Sequence, residues 1–155
     1  MKLLTSLLRA TIPFSLSLAL LIPMLDAAEK GSQTVQVSIG TILASNESDN
    51  FDPRLSKMKS QLEVIKYRSY RLLREQVQKA PWQSSAAFEI PGGRSLTVIP
   101  EGYRNNRLSL KVRLLQGEKP LLDTTVQLRN RGNFLLGGPA HEGGVLILSI
   151  SATTQ

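Results

Sequence analysis

The sequence contains no cysteine among its 155 residues. This absence excludes disulfide bonds, thiolate metal sites and thiol nucleophiles. It also excludes the lipid-modified cysteine that anchors a bacterial lipoprotein after its signal. The folded part of the chain must therefore be stabilised by packing alone.

Aromatic residues make up only 5% of the chain, and the single histidine is His141, beside Glu142. Such a pair is half of a minimal acid–base arrangement and would suit a hydrolase, whereas a metal site needs three or four ligands. No motif places a base next to a serine, so we interpret His141 as a polar residue at a loop tip. The sequence predicts a protein that is not an enzyme and that holds no metal and no cofactor.

Positive charge, in contrast, is abundant: the formal net charge is +7 at pH 7. A balance of this size favours anionic partners such as lipid headgroups, acidic polysaccharide or nucleic acid, or it keeps a small basic domain in solution. The length predicts one domain with a single modest core.

The N-terminal segment has the three parts of a secretory signal. Lys2 and Arg9 form a basic start, residues 10–25 are uncharged, and Asp26-Ala27-Ala28 offers small residues for cleavage. The apolar run is shorter than the ~20 residues that a membrane-spanning helix needs.

We therefore predict a signal peptide at 1–28 and a single β-rich domain at 29–155. Leu25 and Asp26 fit poorly at the position three residues before the cut, so a retained N-terminal anchor stays open as the alternative. The predicted location is the periplasm or the cell surface, with membrane association if the anchor is kept.

The first part of the domain reads as a strand followed by a helix. Residues 33–44 alternate, with Val35, Val37 and Ile39 on one face. Asp52-Pro53 has the form of a helix start, and an apolar stripe follows it at Leu55, Met58, Leu62 and Ile65.

Residues 66–79 allow two interpretations. No glycine or proline lies between Pro53 and Pro81, so one long helix is conceivable. The stripe, however, becomes polar after Ile65, and β-favouring Tyr67, Tyr70 and Val77 accumulate. We favour a helix at about 53–65 followed by a strand at about 67–78.

The remainder of the chain reads as strands separated by glycine and proline turns. One predicted strand places Trp82, Ser84, Ala86, Phe88 and Ile90 on one face and ends at Pro91, and the next carries Leu96 and Val98 and ends at Pro100. The clearest alternation places Leu108, Leu110, Val112 and Leu114 on one side. The predicted fold is mostly β (α+β): an antiparallel β-sandwich or open barrel of about seven to eight strands with one covering helix.

The C-terminal third reads as strand, turn, strand, loop, strand, with the loop at residues 137–144 between two Gly-Gly pairs. Because these glycines lead into a strand, we assign them to turns at positive φ and not to phosphate binding. The last strand is apolar on both faces, which is typical of a central strand or an interface strand. The candidate interface residues are Val145, Leu146, Ile147, Leu148 and Ile150.

Residues 123–138, a polar strand, a glycine turn and an apolar pair ending in Gly-Gly, resemble the strand–turn–strand that precedes the membrane part of secretins. Secretins are the outer-membrane gates of bacterial secretion and pilus machines. Residues 145–150 also resemble a late secretin strand. The resemblance covers about a fifth of the chain and implies an envelope context, with no functional residue carried over.

The leading functional hypothesis is an exported, non-enzymatic envelope protein that acts as a binding or assembly module, with an envelope protein or a second copy as partner. The alternative is a protein that binds anionic lipid or polysaccharide through the basic stretch 66–79, because arginine and tyrosine together bind phosphates and stack on sugars. Export makes nucleic acid a less expected ligand. The candidate ligand-binding residues are Lys66, Arg68, Tyr70, Arg71 and Arg74.

Overall fold

The computed structural model describes residues 34–155, so the predicted signal segment 1–28 lies outside the described residues. A 3₁₀ helix, Pro53–Met58, continues directly into α1, Lys59–Glu63, and together they form the helical segment. The strands are β1 Thr34–Ser45, β2 Ser69–Pro81, β3 Ala86–Ile90, β4 Arg94–Arg104, β5 Arg107–Gln116, β6 Lys119–Arg129, β7 Asn133–His141 and β8 Gly144–Thr153.

The strands form two antiparallel sheets of four strands each. Sheet A has the order β2-β1-β8-β7, and sheet B has the order β3-β4-β5-β6. The sheets share one inner core, and neither closes on itself. The predicted mostly β fold, an antiparallel β-sandwich of eight strands, is therefore confirmed.

The inner core lies between the two sheets and is built mainly from branched aliphatic side chains. Alternate residues of each strand point into it because strand side chains alternate between the two faces of a sheet. Each fully buried Leu, Ile or Val contributes about 1.5–3 kcal/mol relative to an exposed position. Its members include Val35, Val37, Ile39, Phe88, Leu96, Val98, Leu108, Leu110, Val112, Leu146, Leu148 and Ile150.

A second, smaller core lies on the outer face of sheet A, under the helical segment. Leu55 and Leu62 pack there against strand residues that include Ile42 and Ile147. The predicted covering helix is thus present, but it is partly 3₁₀ and ends at Glu63, whereas we predicted a helix to residue 65. Ile65 is 37% exposed, so the apolar stripe that contacts the sheet ends at Leu62.

The segment after the helix is a strand, and the long-helix alternative is wrong. Lys66 has φ +65°, a left-handed conformation that a continuing helix does not contain. The chain reverses there, and β2 pairs along the whole of β1, with a bulge at Thr41/Ile42. The strand spans Ser69–Pro81, slightly later than the predicted 67–78.

The two-sided burial of β8 explains its continuous apolar sequence. This strand lies between β1 and β7, with Leu146, Leu148 and Ile150 in the inner core and Ile147 in the outer one. The central-strand interpretation therefore accounts for the pattern within one chain. Val145, the remaining candidate interface residue, packs beside the outer core.

Three further predicted boundaries were wrong. Residues 137–144 are mostly not a loop, because β7 continues to His141 through a register shift and only Glu142 and Gly143 turn the chain. Of the four glycines expected at positive φ, only Gly143 has it, at 75°, while Gly137 and Gly138 lie within β7. Gly144 is required for close approach, since a Cβ there would overlap the Ala44 carbonyl oxygen. β3 starts only at Ala86, and β4 continues beyond Pro100 through a bulge.

Candidate binding cleft on the outer face of sheet A

The helical segment covers only part of sheet A, and a cleft of about 560 Å³ lies beside it. Its floor consists of small residues on the two central strands, Ser38 and Gly40 of β1 and Ser149 and Ser151 of β8. The register places Gly40 opposite Ser149 and Ser38 opposite Ser151, so the four form a compact flat patch. The cleft exists because none of these side chains is long enough to fill the space above the sheet.

One wall of the cleft is apolar, and the rest of its rim is mainly basic. The apolar part includes Leu55 and Met58 of the helical segment and Leu72 of β2. The lining also includes four cationic side chains and one carboxylate, so positive charge dominates the site: Arg54, Lys57, Arg74, Arg131 and Glu75.

Asp52 joins the basic wall to the sheet. Its carboxylate accepts hydrogen bonds from the backbone N–H of Arg54 at 3.0 Å, which caps the 3₁₀ helix, and from the backbone N–H of Leu72 at 3.1 Å. The Arg54 guanidinium also bonds this carboxylate and donates to the Leu72 carbonyl oxygen at 2.9 Å. Asp52 therefore positions Arg54 and attaches the start of the helical segment to β2.

These hydrogen bonds hold the pKa of Asp52 well below its usual value of 3.8, with the side-chain bonds from Arg54 as the largest cause. A carboxyl group with a lowered pKa in the folded state stabilises the fold fully above its unfolded pKa, and this contribution decreases as the pH falls below it. We expect thermal stability to decrease below about pH 4. In Asp52→Asn this part of the pH dependence should be missing.

Melting temperatures measured between pH 6 and pH 2.5 test this expectation, with about 0.15 M salt to screen exposed pairs. Asp49→Asn is the matched control, because Asp49 also has a lowered pKa from Arg68 but its side chain is 73% exposed. Equal pH profiles for wild type and Asp52→Asn would contradict the role of Asp52.

Lys57 and Arg131 are the two cations of the cleft that have no carboxylate within 4.0 Å among residues 34–155. Arg131 lies in the β6–β7 turn with φ +66°, and its backbone N–H donates to the Ala152 carbonyl oxygen at 3.0 Å. The adjacent Asn130 side chain exchanges two hydrogen bonds with the backbone of Thr154. This turn is therefore well fixed, and it presents Arg131 at the cleft.

The structure does not bring the five predicted ligand-binding residues together. Tyr70 is 3% exposed, and its hydroxyl donates to the Leu62 carbonyl oxygen at 2.6 Å, so its ring belongs to the outer core. Arg68 forms an ion pair with Asp49, and Arg74 forms one with Glu89 at 3.1 Å. Arg71 lines a separate depression, and Lys66 lies in the turn before β2. Only Arg74 lines the cleft.

The remaining chemical candidates stay isolated. His141 Nε2 lies 3.7 Å from Glu142 Oε1 at the end of β7, and the His141 side chain is largely buried instead of standing at a loop tip. Within the described range no group of three or more His, Cys, Asp or Glu side chains is arranged to hold a metal ion. No helix in residues 34–155 has the length and hydropathy needed to cross a bilayer.

Sequence reasoning missed the cleft, because its floor is formed by small residues of two strands that are distant in the chain. One signal was present: Gly40 lies inside the predicted first strand, and a glycine inside a strand often marks the close approach of a ligand or another backbone. Lys57 and Arg131 gave no sequence signal, since they lie in unrelated segments.

No family model matches this chain, and no curated protein sequence matches it. A comparison of structures finds the type II secretion system (T2SS) secretin XcpQ from Pseudomonas aeruginosa, with 11% sequence identity and a TM-score of 0.39. The match covers 79% of this chain and 56% of that one, so the present chain corresponds to little more than half of the secretin chain. The chain thus has a weak, partial structural resemblance to a secretin.

Proposed function

We propose that this protein is an exported, non-enzymatic binding and assembly module of the cell envelope. Its docking site is the cleft on sheet A, and its occupant is an acidic, extended segment of another envelope protein. The observation that carries the proposal is the excess of cations around a flat floor of small residues.

The floor favours an extended polypeptide. The sheet surface at Ser38, Gly40, Ser149 and Ser151 is flat enough for a backbone to approach, and the serine hydroxyls both donate and accept hydrogen bonds. A segment lying there exposes alternate side chains to the two walls. An apolar side chain would contact the wall around Met58.

The rim favours acidic residues in that segment. Lys57 and Arg131 have no ion-pair partner within the described chain, whereas Arg54 and Arg74 are already paired. Two carboxylates placed at Lys57 and Arg131 would neutralise both free charges. Complementary charges of this kind contribute more to specificity and association rate than to affinity.

The lining also favours binding over catalysis. Serines line the cleft, but no histidine does, and Glu75 is the one carboxylate among the described lining residues. A serine nucleophile needs a base within hydrogen-bond reach and a group that orients that base. We therefore assign the serines to hydrogen bonding of a ligand backbone.

A fluorescein-labelled oligo-glutamate peptide tests the site by fluorescence anisotropy. We expect Lys57→Glu/Arg131→Glu to weaken peptide binding by about 10–100-fold, since each reversed contact is worth roughly 0.5–1.5 kcal/mol. The control Arg104→Glu/Arg107→Glu has the same change in net charge at exposed positions of the β4–β5 hairpin, outside the cleft. It should weaken binding much less.

Equal losses in the two double variants would contradict the cleft and leave only a non-specific charge effect. Vesicles containing anionic lipid provide the second readout. Binding to them that survives Lys57→Glu/Arg131→Glu, but falls when Arg68 and Arg71 become Gln, would replace this proposal with the lipid-binding alternative of stretch 66–79.

A further inference from the structure

Three of the four sheet edges are capped by the chain itself. On β2, Asn50, Asp52 and Arg54 bond the backbone of Tyr70 and Leu72 at the start of the strand. On β3, the side-chain amides of Gln76 and Gln78 donate to the carbonyl oxygens of Glu89 and Ala87. On β7, the register shift at Gly137/Ala140 distorts the edge. Such devices prevent unwanted strand pairing.

The fourth edge, β6, has a register shift only near its start, opposite Leu114/Leu115, and from Asp123 onward it has no such cap. Between Asp123 and Gln127, no backbone group is bonded by a loop or by a side chain of the described residues. The strand has 11 residues and carries β-favouring Thr124, Thr125 and Val126 at its centre. An uncapped strand of this length and composition is a template for another strand.

The hydrogen-bonding direction of β6 identifies the free backbone groups. The N–H of Asn130 donates to the Asn106 carbonyl oxygen on the β5 side at 3.0 Å. Backbone groups alternate in direction along an antiparallel strand, so the groups of Asp123, Thr125 and Gln127 point away from β5. These three residues offer their N–H and C=O groups to an added strand.

We infer that β6 is a self-association edge: two copies pair antiparallel through β6, about a twofold axis at Val126. This register pairs Thr125 with Gln127 of the second copy, so the free backbone groups meet one another. It also places Asp123 opposite Arg129 of the second copy, and the twofold axis repeats that ion pair. Sheet B then continues through both copies.

The charged side chains of β6 favour this register over registers whose twofold axis lies at a neighbouring residue. Asp123 already lies 3.1 Å from Arg113 on β5, so an Arg129 from the second copy would place this carboxylate between two cations, one on each neighbouring strand. Arg129 is exposed and has no ion-pair partner in the described chain. A twofold axis at Thr124 would instead place Lys119 opposite Arg129, which is repulsive.

A partly exposed aromatic side chain lies beside this edge. Phe134 of β7 is 37% exposed, although its register partner Ile150 is fully buried in the inner core. Since β7 lies at the same end of its sheet as β6, pairing of two copies would bring both Phe134 rings toward the junction. The surface therefore offers backbone, charge and apolar complementarity to its own copy.

Charge reversal tests the inference in sedimentation velocity runs on the full chain. Wild type should dimerise, and Asp123→Arg or Arg129→Asp alone should raise the dimer dissociation constant about 100-fold, because each places two like-charge pairs across the axis. An equimolar mixture of these two variants should form a heterodimer, since both cross-strand pairs become attractive again. The double variant Asp123→Arg/Arg129→Asp should likewise regain self-association.

Thr125→Pro provides an independent test without a charge change. Proline is tolerated on an edge strand where the N–H faces outward, so this variant should keep its melting temperature and become monomeric. A wild type that stays monomeric at about 100 µM, where even weak specific dimers associate, would overturn the inference. So would a dimer that persists in both single charge variants, or a mixture of the two that stays monomeric. If the edge instead pairs with a different protein, the wild type would be monomeric by itself, and that result would likewise overturn the inference of self-association.

Discussion

Leu148→Asn should unfold the protein or leave it barely folded at room temperature. Leu148 is fully buried on β8, in the inner core between the two sheets. Truncating a buried leucine costs about 2–5 kcal/mol, and a buried amide without partners adds about 1–3 kcal/mol. The sum is comparable with the roughly 5–15 kcal/mol that stabilises a whole domain. Circular dichroism during chemical denaturation measures the loss.

Leu121→Asn is the matched control, with the same chemical change at a leucine that is 39% exposed on β6. It should change the free energy of unfolding by no more than about 0.5 kcal/mol. Leu146→Asn should behave like Leu148→Asn, because both side chains occupy the same core. A folded Leu146→Asn/Leu148→Asn protein that had lost only its ability to associate would show that these residues serve an interface, contrary to their place in the core.

Tyr70→Ala should cost about 3–5 kcal/mol and release the helical segment from the sheet. The Tyr70 ring packs edge-on to Phe51 with the ring centroids 5.9 Å apart. Its hydroxyl donates to the Leu62 carbonyl oxygen and accepts from the Tyr67 backbone N–H at 3.0 Å. The C-terminal end of α1 and the turn that follows it thus depend on one side chain of β2.

Tyr70→Phe separates the two contributions, because it keeps the ring and removes only the hydroxyl. We expect it to cost about 1–3 kcal/mol, since the Tyr67 N–H loses its partner, whereas the Leu62 carbonyl oxygen keeps its bond from the Ile65 N–H. Hydrogen exchange should show faster opening of residues 53–67 in both variants, with the strands of sheet B unchanged. Unaltered exchange in this segment would contradict the role of Tyr70 as its attachment.

The same variant connects stability to the proposed function. The helical segment supplies Leu55, Lys57 and Met58 to the cleft wall. If Tyr70→Ala loosens this segment, peptide binding should fall even at temperatures where sheet B remains folded. The corresponding control is Tyr103, 47% exposed on β4, whose replacement by Ala should leave both properties nearly unchanged.

Local patterns predicted most of the strands, because half-burial imposes an alternation that is visible in the chain itself. Leu108, Leu110, Val112 and Leu114 alternate without interruption, and they form β5 as expected. Residues 66–79 were harder to interpret, because β2 is an edge strand whose exposed positions carry charged and polar side chains. The chain reverses at Lys66, and this reversal ends the helix and allows a strand to follow. Because Lys66 itself adopts the positive φ, no glycine or proline marks the reversal in the sequence.

The sequence alone determined a cysteine-free, mainly β domain with one helical cover, since alternation, turn residues and capping act over a few neighbouring positions. Only the tertiary structure decided that β1 and β8 are adjacent, and this pairing assembles the serine and glycine floor of the cleft from two ends of the chain. It also decided which basic residues are free, because ion pairs such as Arg68–Asp49 join positions that the sequence separates. A binding surface depends on long-range pairing, and no local pattern contains it.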